Sequence, residues 1–163
     1  MSRRALRFAS LLLPLLSPLL TAAQPDNPTF PNFHTLQDQF GNAWQAPQDP
    51  QQLLFVYDMS GNKMLRKALE VTDHNCLSDG RLVYLADISG MPGLIARTIA
   101  LPRMRKLDYP VWLDRDGEST AALRRQADGV ALLTTGKDPE LFSDSATLLV
   151  RLLEVCGKPA AAE

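Results

Sequence analysis

The sequence predicts an α/β domain, in which a mixed β-sheet is flanked by helices on both faces. Two short, continuous apolar runs, residues 53–57 and 82–86, are typical of strands that are buried on both faces of a parallel sheet. A helical segment follows each run, so strands and helices alternate. The chain then ends in a predicted hairpin and an amphipathic helix, and this combination indicates a mixed sheet covered by helices.

The N-terminus has the three regions of a secretory signal peptide. Three arginines precede an apolar segment, residues 8–20, and a small-residue cleavage site, residues 21–23. The apolar segment is interrupted by Pro14 and Pro18 and is shorter than the about 20 residues that a transmembrane helix needs. We therefore predict that residues 1–23 are cleaved, that the mature protein is periplasmic, and that it has no stable membrane insertion. The general and the twin-arginine export routes both remain open.

A flexible leader and a hairpin are predicted next. Residues 24–32 are rich in Pro and Asn and should be extended. One domain, residues 33–163, follows the leader. It opens with a predicted β-hairpin, in which residues 33–36 and 43–45 flank a turn at residues 41–42.

The first buried strand ends at Asp58 and leads into an amphipathic helix. Ser60 is a suitable N-cap for this helix. The helix should break around residues 73–75. Its apolar stripe is formed by Met64, Leu65, Ala68 and Leu69.

The second buried strand ends at Asp87 and is also followed by a helix. Ser89 and Pro92 are predicted to open this helix, which covers residues 93–101 and extends past a proline toward Lys106. The pattern is therefore strand, helix, strand, helix.

The rest of the chain supplies smaller elements and a last helix. A hairpin is expected around Gly136 and Lys137, and the last helix directs four leucines inward. In chain order, the predicted elements are a short strand, a helical turn, the hairpin and the last helix, at residues 110–113, 119–125, 129–142 and 145–155.

Two cysteines, Cys76 and Cys156, remain in the mature chain. In an oxidising compartment such a pair predicts a disulfide, and two free buried thiols are the alternative. A bond that closes a loop of about 80 residues stabilises a fold by roughly 4 kcal/mol. The two cysteines follow helices whose ends approach each other if both helices cover the same face of the sheet.

Composition and motifs exclude several classes of function. Removal of the three signal-peptide arginines leaves 14 basic and 18 acidic residues, so we expect neither nucleic acid nor anionic lipid as a partner. Glycine-rich nucleotide motifs and a Gly-x-Ser-x-Gly elbow are absent from the sequence. His34 and His74 have no zinc-ligand spacing, and we predict no cofactor. The basic residues 103–106, with Arg97, form either a solvated helix end or a surface for an acidic partner.

Four segments of the chain carry a resemblance to a known superfamily. Residues 36–41 resemble an opening hairpin, residues 53–64 a strand, active-site loop and first helix, and residues 109–117 an inserted strand and turn. Together they resemble the thioredoxin-like superfamily, in its exported branch related to peroxiredoxins and TlpA-type thiol-disulfide proteins. Residues 86–92, followed by a helix and a Tyr-Pro pair, are similar to small periplasmic proteins of the YtfJ type. The resemblance implies a thioredoxin-like fold over nearly the whole mature chain.

The chain departs from this superfamily where a thioredoxin carries its Cys-x-x-Cys motif. The corresponding stretch, residues 59–64, has the sequence MSGNKM and contains no cysteine. Thiol exchange needs a thiolate stabilised at such a helix N-terminus. The cis-proline that the resemblance implies before the final hairpin is also replaced, near Asp128 and Gly129. Both departures argue against dithiol chemistry.

Asp58 and Asp87 are expected at the carboxyl ends of neighbouring parallel strands, where open α/β sheets bind ligands. Two such carboxylates could share a proton, act as a general base or bind a hard cation with nearby hydroxyl and amide groups. Alternatively, each caps the helix that follows it. The candidate cleft comprises Asp58, Met59, Ser60, Asn62, Lys63, Asp87, Ser89 and Met91.

We therefore interpret the chain as a non-redox, thioredoxin-like binding or accessory module of the periplasm. Its partner is a protein or a small molecule that the sequence does not identify. The alternative is an enzyme. That enzyme would be either a redox protein that uses Cys76 and Cys156 unconventionally or a carboxylate-based catalyst at Asp58 and Asp87.

Overall fold

A computed structural model shows the fold of the predicted domain. The predicted signal peptide, residues 1–23, and residues 24–29 of the leader lie outside the described part of the chain. The structure describes residues 30–45, 50–123, 125 and 127–159.

The described residues form one six-stranded mixed sheet, which confirms the predicted α/β class. Its order is β1-β4-β3-β2-β5-β6. The three strands β2, β3 and β4 are parallel to one another, and the other pairings are antiparallel. The strands are β1 (Gln37–Asp38), β2 (Gln52–Val56), β3 (Leu82–Asp87), β4 (Trp112–Asp114), β5 (Val130–Thr134) and β6 (Glu140–Phe142).

Helices connect the parallel strands and close the chain. The α-helices are α1 (Met59–Leu69), α2 (Asn75–Ser78), α3 (Gly93–Ile95), α4 (Leu101–Met104) and α5 (Ser145–Cys156). None of the helices in the described part of the chain is long and apolar enough to cross a membrane.

The helix predicted past Pro102 is continuous, but its middle is a π-helix, Ala96–Ala100. The amide of Leu101 donates to the carbonyl of Ala96, five residues earlier. Proline has no N–H for the usual bond, and its ring clashes with the carbonyl four residues before it. A wider turn in front of Pro102 is one way for a helix to accommodate these two effects.

The two faces of the sheet bury separate apolar cores because successive strand residues point to opposite sides. Helices α1, α2, α4 and α5 cover the face that carries Leu54 and Tyr84. The short 3₁₀ helix Phe33–Thr35 helps to cover the opposite face, together with Trp44 and Leu123. The helical layers are therefore unequal, and loops cover most of the second face.

Two local predictions were wrong in detail. Residues 33–35 form a helical turn because the Asn32 side chain accepts the amide of His34, and the N-terminal hairpin is reduced to one bridge between Gln37 and Ala43. The described residues within the predicted helical turn 119–125 form no helix. There, the buried carboxylate of Asp114 accepts the amide of Thr120 and fixes a loop instead. The hairpin of β5 and β6 is confirmed.

Candidate functional site

An aspartate stands at the carboxyl end of each parallel strand. Asp58 follows β2, Asp87 ends β3, and Asp114 ends β4 in register with Asp87. The structure thus brings Asp58 and Asp87 to one edge of the sheet, as the sequence predicts. Asp114 was not among the predicted site residues, although it carries the same signal of an aspartate directly after a buried apolar strand.

Asp58 caps helix α1 and ties it to the loop before β5. One carboxylate oxygen accepts the amide of Gly61 at 2.7 Å, and the other accepts the amide of Asp128 at 2.8 Å. Asp58 has the extended backbone typical of an N-cap, whereas Ser60 lies inside the first turn, so the prediction that Ser60 caps the helix was wrong. Asp128 itself has a φ of 53°, and the described residues contain no cis peptide bond.

Asp87 is buried, and its carboxylate forms an ion pair with Arg125 instead of capping a helix. Its first carboxylate oxygen accepts the amide and hydroxyl of Ser89 at 2.9 and 2.6 Å, and its second accepts Arg125 Nη2 at 2.9 Å. Burial alone would raise the pKa of Asp87, but the bonds from Ser89 and Arg125 hold this pKa below its ordinary value. Helix α3 begins after Pro92 without a side-chain cap.

Arg125 is a site residue that the sequence does not reveal. Its guanidinium carbon lies 5.8 Å from the centroid of the Tyr57 ring while its Nη2 bonds Asp87, so it joins the ends of β2 and β3. Arg125 is 38 residues from Asp87 along the chain, in a loop. No spacing rule links residues so far apart.

The two predicted carboxylates do not form a shared acid-base pair. No hydrogen bond joins Asp58 to Asp87, and each oxygen of both residues already accepts from an N–H donor. A general base that works near neutral pH needs a raised pKa, and the pKa of Asp87 is lowered. In the described part of the chain, no group of three or more His, Cys, Asp or Glu side chains is arranged to hold a metal ion.

A groove of about 450 Å³, here called the sheet-end groove, opens beside these aspartates. It lies between the start of α1 and the segment that leads into α3, and its walls are largely apolar. Met59 is 71% exposed at one wall, and Leu94 and Ile95 are exposed on α3. Five predicted cleft residues line the sheet-end groove: Asp58, Met59, Asn62, Asp87 and Met91.

The other three predicted cleft residues lie elsewhere. Ser60 and Lys63 face a second groove along α1, and Ser89 serves as a hydrogen-bond partner of Asp87.

The disulfide prediction is confirmed, and the bond lies away from both grooves. Cys76 of α2 is bonded to Cys156 at the end of α5, with a Cα–Cα distance of 5.1 Å. Both cysteines are buried, at 0% and 7% exposure. Beside the bond, the amide of Asp73 donates to the carbonyl of Gly157. Helix α1, about 16 Å long, separates this end of the molecule from the sheet-end groove.

Comparisons with known proteins add the following findings. No protein-family model and no curated protein matches the chain. Among solved structures, the chain is similar to an uncharacterized thioredoxin-like protein from Porphyromonas gingivalis. That similarity has 17% sequence identity and a TM-score of 0.41, and it covers 77% of this chain and 90% of the other. The fold class follows from the chain's own topology: a parallel β-α-β unit, an antiparallel hairpin and a closing helix on the same face as α1.

Proposed function

We propose that this protein is a non-redox, thioredoxin-like binding or accessory module of the periplasm, in the YtfJ-like exported branch. Its sheet-end groove holds a segment of a partner protein. The observation that carries the proposal is the apolar groove at the carboxyl ends of the parallel strands, where ligands of open α/β sheets bind. The signal-peptide pattern of residues 1–23 supports the periplasmic assignment.

Exposed apolar side chains around the sheet-end groove support a binding role. Met59 and Leu94 are each more than 70% exposed, and Ile95 and Ile99 are exposed beside them. Met59 and Ile95 line the groove itself, and exposed apolar surface of this kind is unfavourable in water and is typical of interaction sites. Methionine adapts its shape to different partner side chains, which suits a groove that accepts a peptide segment.

The position of the disulfide supports a non-redox function. Thiol exchange requires that an attacking thiolate reach a sulfur atom, and both sulfurs belong to buried cysteines at the opposite end of α1. The sheet-end groove contains no cysteine among its lining residues. A redox protein that uses Cys76 and Cys156 is the competing function, and it would need the bond to open.

Site-specific photo-crosslinking in the source organism tests the binding role. A photoreactive residue at Met59 should capture a partner, whereas the same residue at Val150, which is 60% exposed on α5, should not. The captured partner should bind the purified protein, and this binding should be lost with Ile95→Glu and retained with Val150→Glu. Equal capture at both positions, or no capture at Met59, would refute the proposed function.

A further inference from the structure

A second groove runs along helix α1 on the side that faces Arg103. It encloses about 610 Å³ and is here called the basic groove. Its positive residues are Lys63, Arg66, Lys67 and Arg103, and Glu70 is the acidic residue among those that line it.

The four cations of the basic groove have no acidic partner within the described part of the chain. None of the four forms an ion pair or a side-chain hydrogen bond there. Three arginines elsewhere form ion pairs: Arg81 with Asp79, Arg125 with Asp87, and Arg151 with Glu140. Four cations without acidic partners therefore line a single groove on a chain in which acidic residues outnumber basic ones.

The two grooves adjoin each other at the first turn of α1. Met59 and Asn62, one turn apart on α1, line both of them. A ligand that places apolar side chains in the sheet-end groove therefore reaches the basic groove by crossing the first turn of α1. The combined surface offers an apolar wall followed by a row of positive charges.

We infer that the occupant of the two grooves is a polypeptide segment that carries apolar residues next to a short run of Asp or Glu. This inference rests on the proposed function and names the chemistry of the partner. Apolar side chains of the segment bury against Met59 and Ile95, and its carboxylates lie beside Lys63 and Lys67. Complementary charge fixes the direction of the segment and accelerates its association.

The shape of the surface favours a polypeptide segment over a membrane. The cations line a concave groove beside an acidic residue, whereas a lipid surface needs a flat or convex basic patch. A strand of nucleic acid is disfavoured because the chain as a whole is acidic.

The test uses a library of random peptides and selects those that bind the natively processed protein. The peptides have about 12 residues, so they span up to about 40 Å when extended. Peptides that also bind the Met59→Glu variant are discarded. We expect the remaining peptides to contain apolar residues followed by Asp or Glu. Their affinity should fall about tenfold with Lys63→Glu, and also when their acids are replaced by amides. The control Lys137→Glu makes the same charge change in the β5–β6 turn and should leave the affinity unchanged.

The outcomes separate the two proposals. If peptides that depend on Met59 are selected but carry no acidic residues, or if Lys63→Glu and Lys137→Glu have equal effects, the acidic-segment inference is overturned and the binding role stands. If no peptide depends on Met59, both fail. Vesicles of phosphatidylglycerol and phosphatidylcholine should not bind. Vesicle binding that Lys63→Glu abolishes would overturn the inference in favour of a membrane surface.

Discussion

Individual residues organise the carboxyl edge of the sheet through hydrogen bonds that their own backbone positions dictate. Asp58 satisfies the amide of Gly61 in α1 and, with its second oxygen, the amide of Asp128 before β5. Asp87 likewise uses both carboxylate oxygens: one accepts a hydrogen bond from Ser89 and the other accepts one from Arg125. These carboxylates position the sheet-end groove, and the geometry gives them a structural role at its base.

Replacement of Asp58 by alanine should destabilise the protein. The change removes the N-cap of α1 and leaves the Asp128 amide without its carboxylate partner, which should lower the free energy of unfolding by about 1–2 kcal/mol. Urea unfolding measures the loss. Asp138→Ala is the matched control, because Asp138 is an exposed aspartate with no side-chain hydrogen bond. Equal unfolding midpoints for the two variants would show that the Asp58 cap contributes nothing.

His74 should make stability depend on pH. Its Nδ1 lies 2.9 Å from an Asp108 carboxylate oxygen, and its Nε2 lies 2.8 Å from the carbonyl oxygen of Leu69. Both partners only accept, so the ring must donate from both nitrogens and carry a positive charge. Burial lowers the pKa of His74, but the bonds to Asp108 and Leu69 outweigh burial and raise the pKa above its ordinary value of 6.5.

The sign of the pH effect follows from this raised pKa. The stabilisation by His74 should be fully present below about pH 6.5 and should be lost as pH rises through the higher pKa of the folded state. Urea unfolding across this range should show the decline, and His74→Gln should flatten it. His34→Gln, which changes an exposed histidine without a side-chain partner, should preserve the decline. A stability that rises over this range would contradict the assignment.

At the scale of single residues, the sequence predicts where a side chain lies in the fold better than it predicts the groups that this side chain hydrogen-bonds. An aspartate after a buried strand was enough to place Asp58 and Asp87 at one edge. Their donors, Asp128 and Arg125, lie in loops distant along the chain, and only the packed fold brings them together. Nothing in the local sequence of Arg125 indicates its ion pair.

At the scale of elements, helix α1 is held unusually close to the loop before β5. A Cβ built on Gly61 would clash with the carbonyl oxygen of Gly129. This approach, together with the Asp58 bond to Asp128, fixes the start of α1 and therefore the Met59 wall of the sheet-end groove. The absence of a side chain at Gly61 is thus a requirement of packing.

Substitution of Gly61 by alanine should destabilise the fold even though alanine is the better helix former. The backbone of Gly129 must move to relieve the clash, and overpacking of this kind costs about 1–3 kcal/mol. Gly93→Ala is the control, because its added Cβ meets no atom within 4 Å and it lies in helix α3. That variant should be neutral or up to about 1 kcal/mol more stable. A stable Gly61→Ala protein in urea unfolding would refute the close approach.

Elements with strong local signals were predicted well, and those fixed by tertiary contacts were not. The apolar runs of β2 and β3 and the last amphipathic helix are where periodicity and hydrophobicity place them. The 3₁₀ turn Phe33–Thr35 and the loop after β4 depend instead on side-chain caps from Asn32 and Asp114. Such caps compete with strand and helix formation and leave only weak signals in sequence.

At the scale of the whole molecule, the disulfide links α2 to α5 across a sequence separation of 80 residues. The bond joins elements that belong to one apolar core, so it reinforces an existing contact. Its distance from the sheet-end groove separates the stabilising end of the protein from the proposed binding end. The pairing was predictable from the count of cysteines and the predicted export signal, whereas the grooves required the assembled fold.

Removal of the disulfide should cost stability and spare binding. The double variant Cys76→Ser and Cys156→Ser should lose about 2–5 kcal/mol of unfolding free energy, because the unfolded chain gains entropy when the loop is opened. At a temperature where the variant is folded, crosslinking of the partner through Met59 should persist. Unchanged stability in urea unfolding, or loss of crosslinking by a folded variant, would contradict this separation.

The central claim is that the protein acts by binding and not by thiol exchange. The most direct test equilibrates the native protein in glutathione buffers of graded potential and counts free thiols by intact mass. We predict that the buried Cys76–Cys156 bond stays closed until the potential falls below about −300 mV, as in structural disulfides. A bond that opens near about −200 mV would contradict the claim and identify a redox protein.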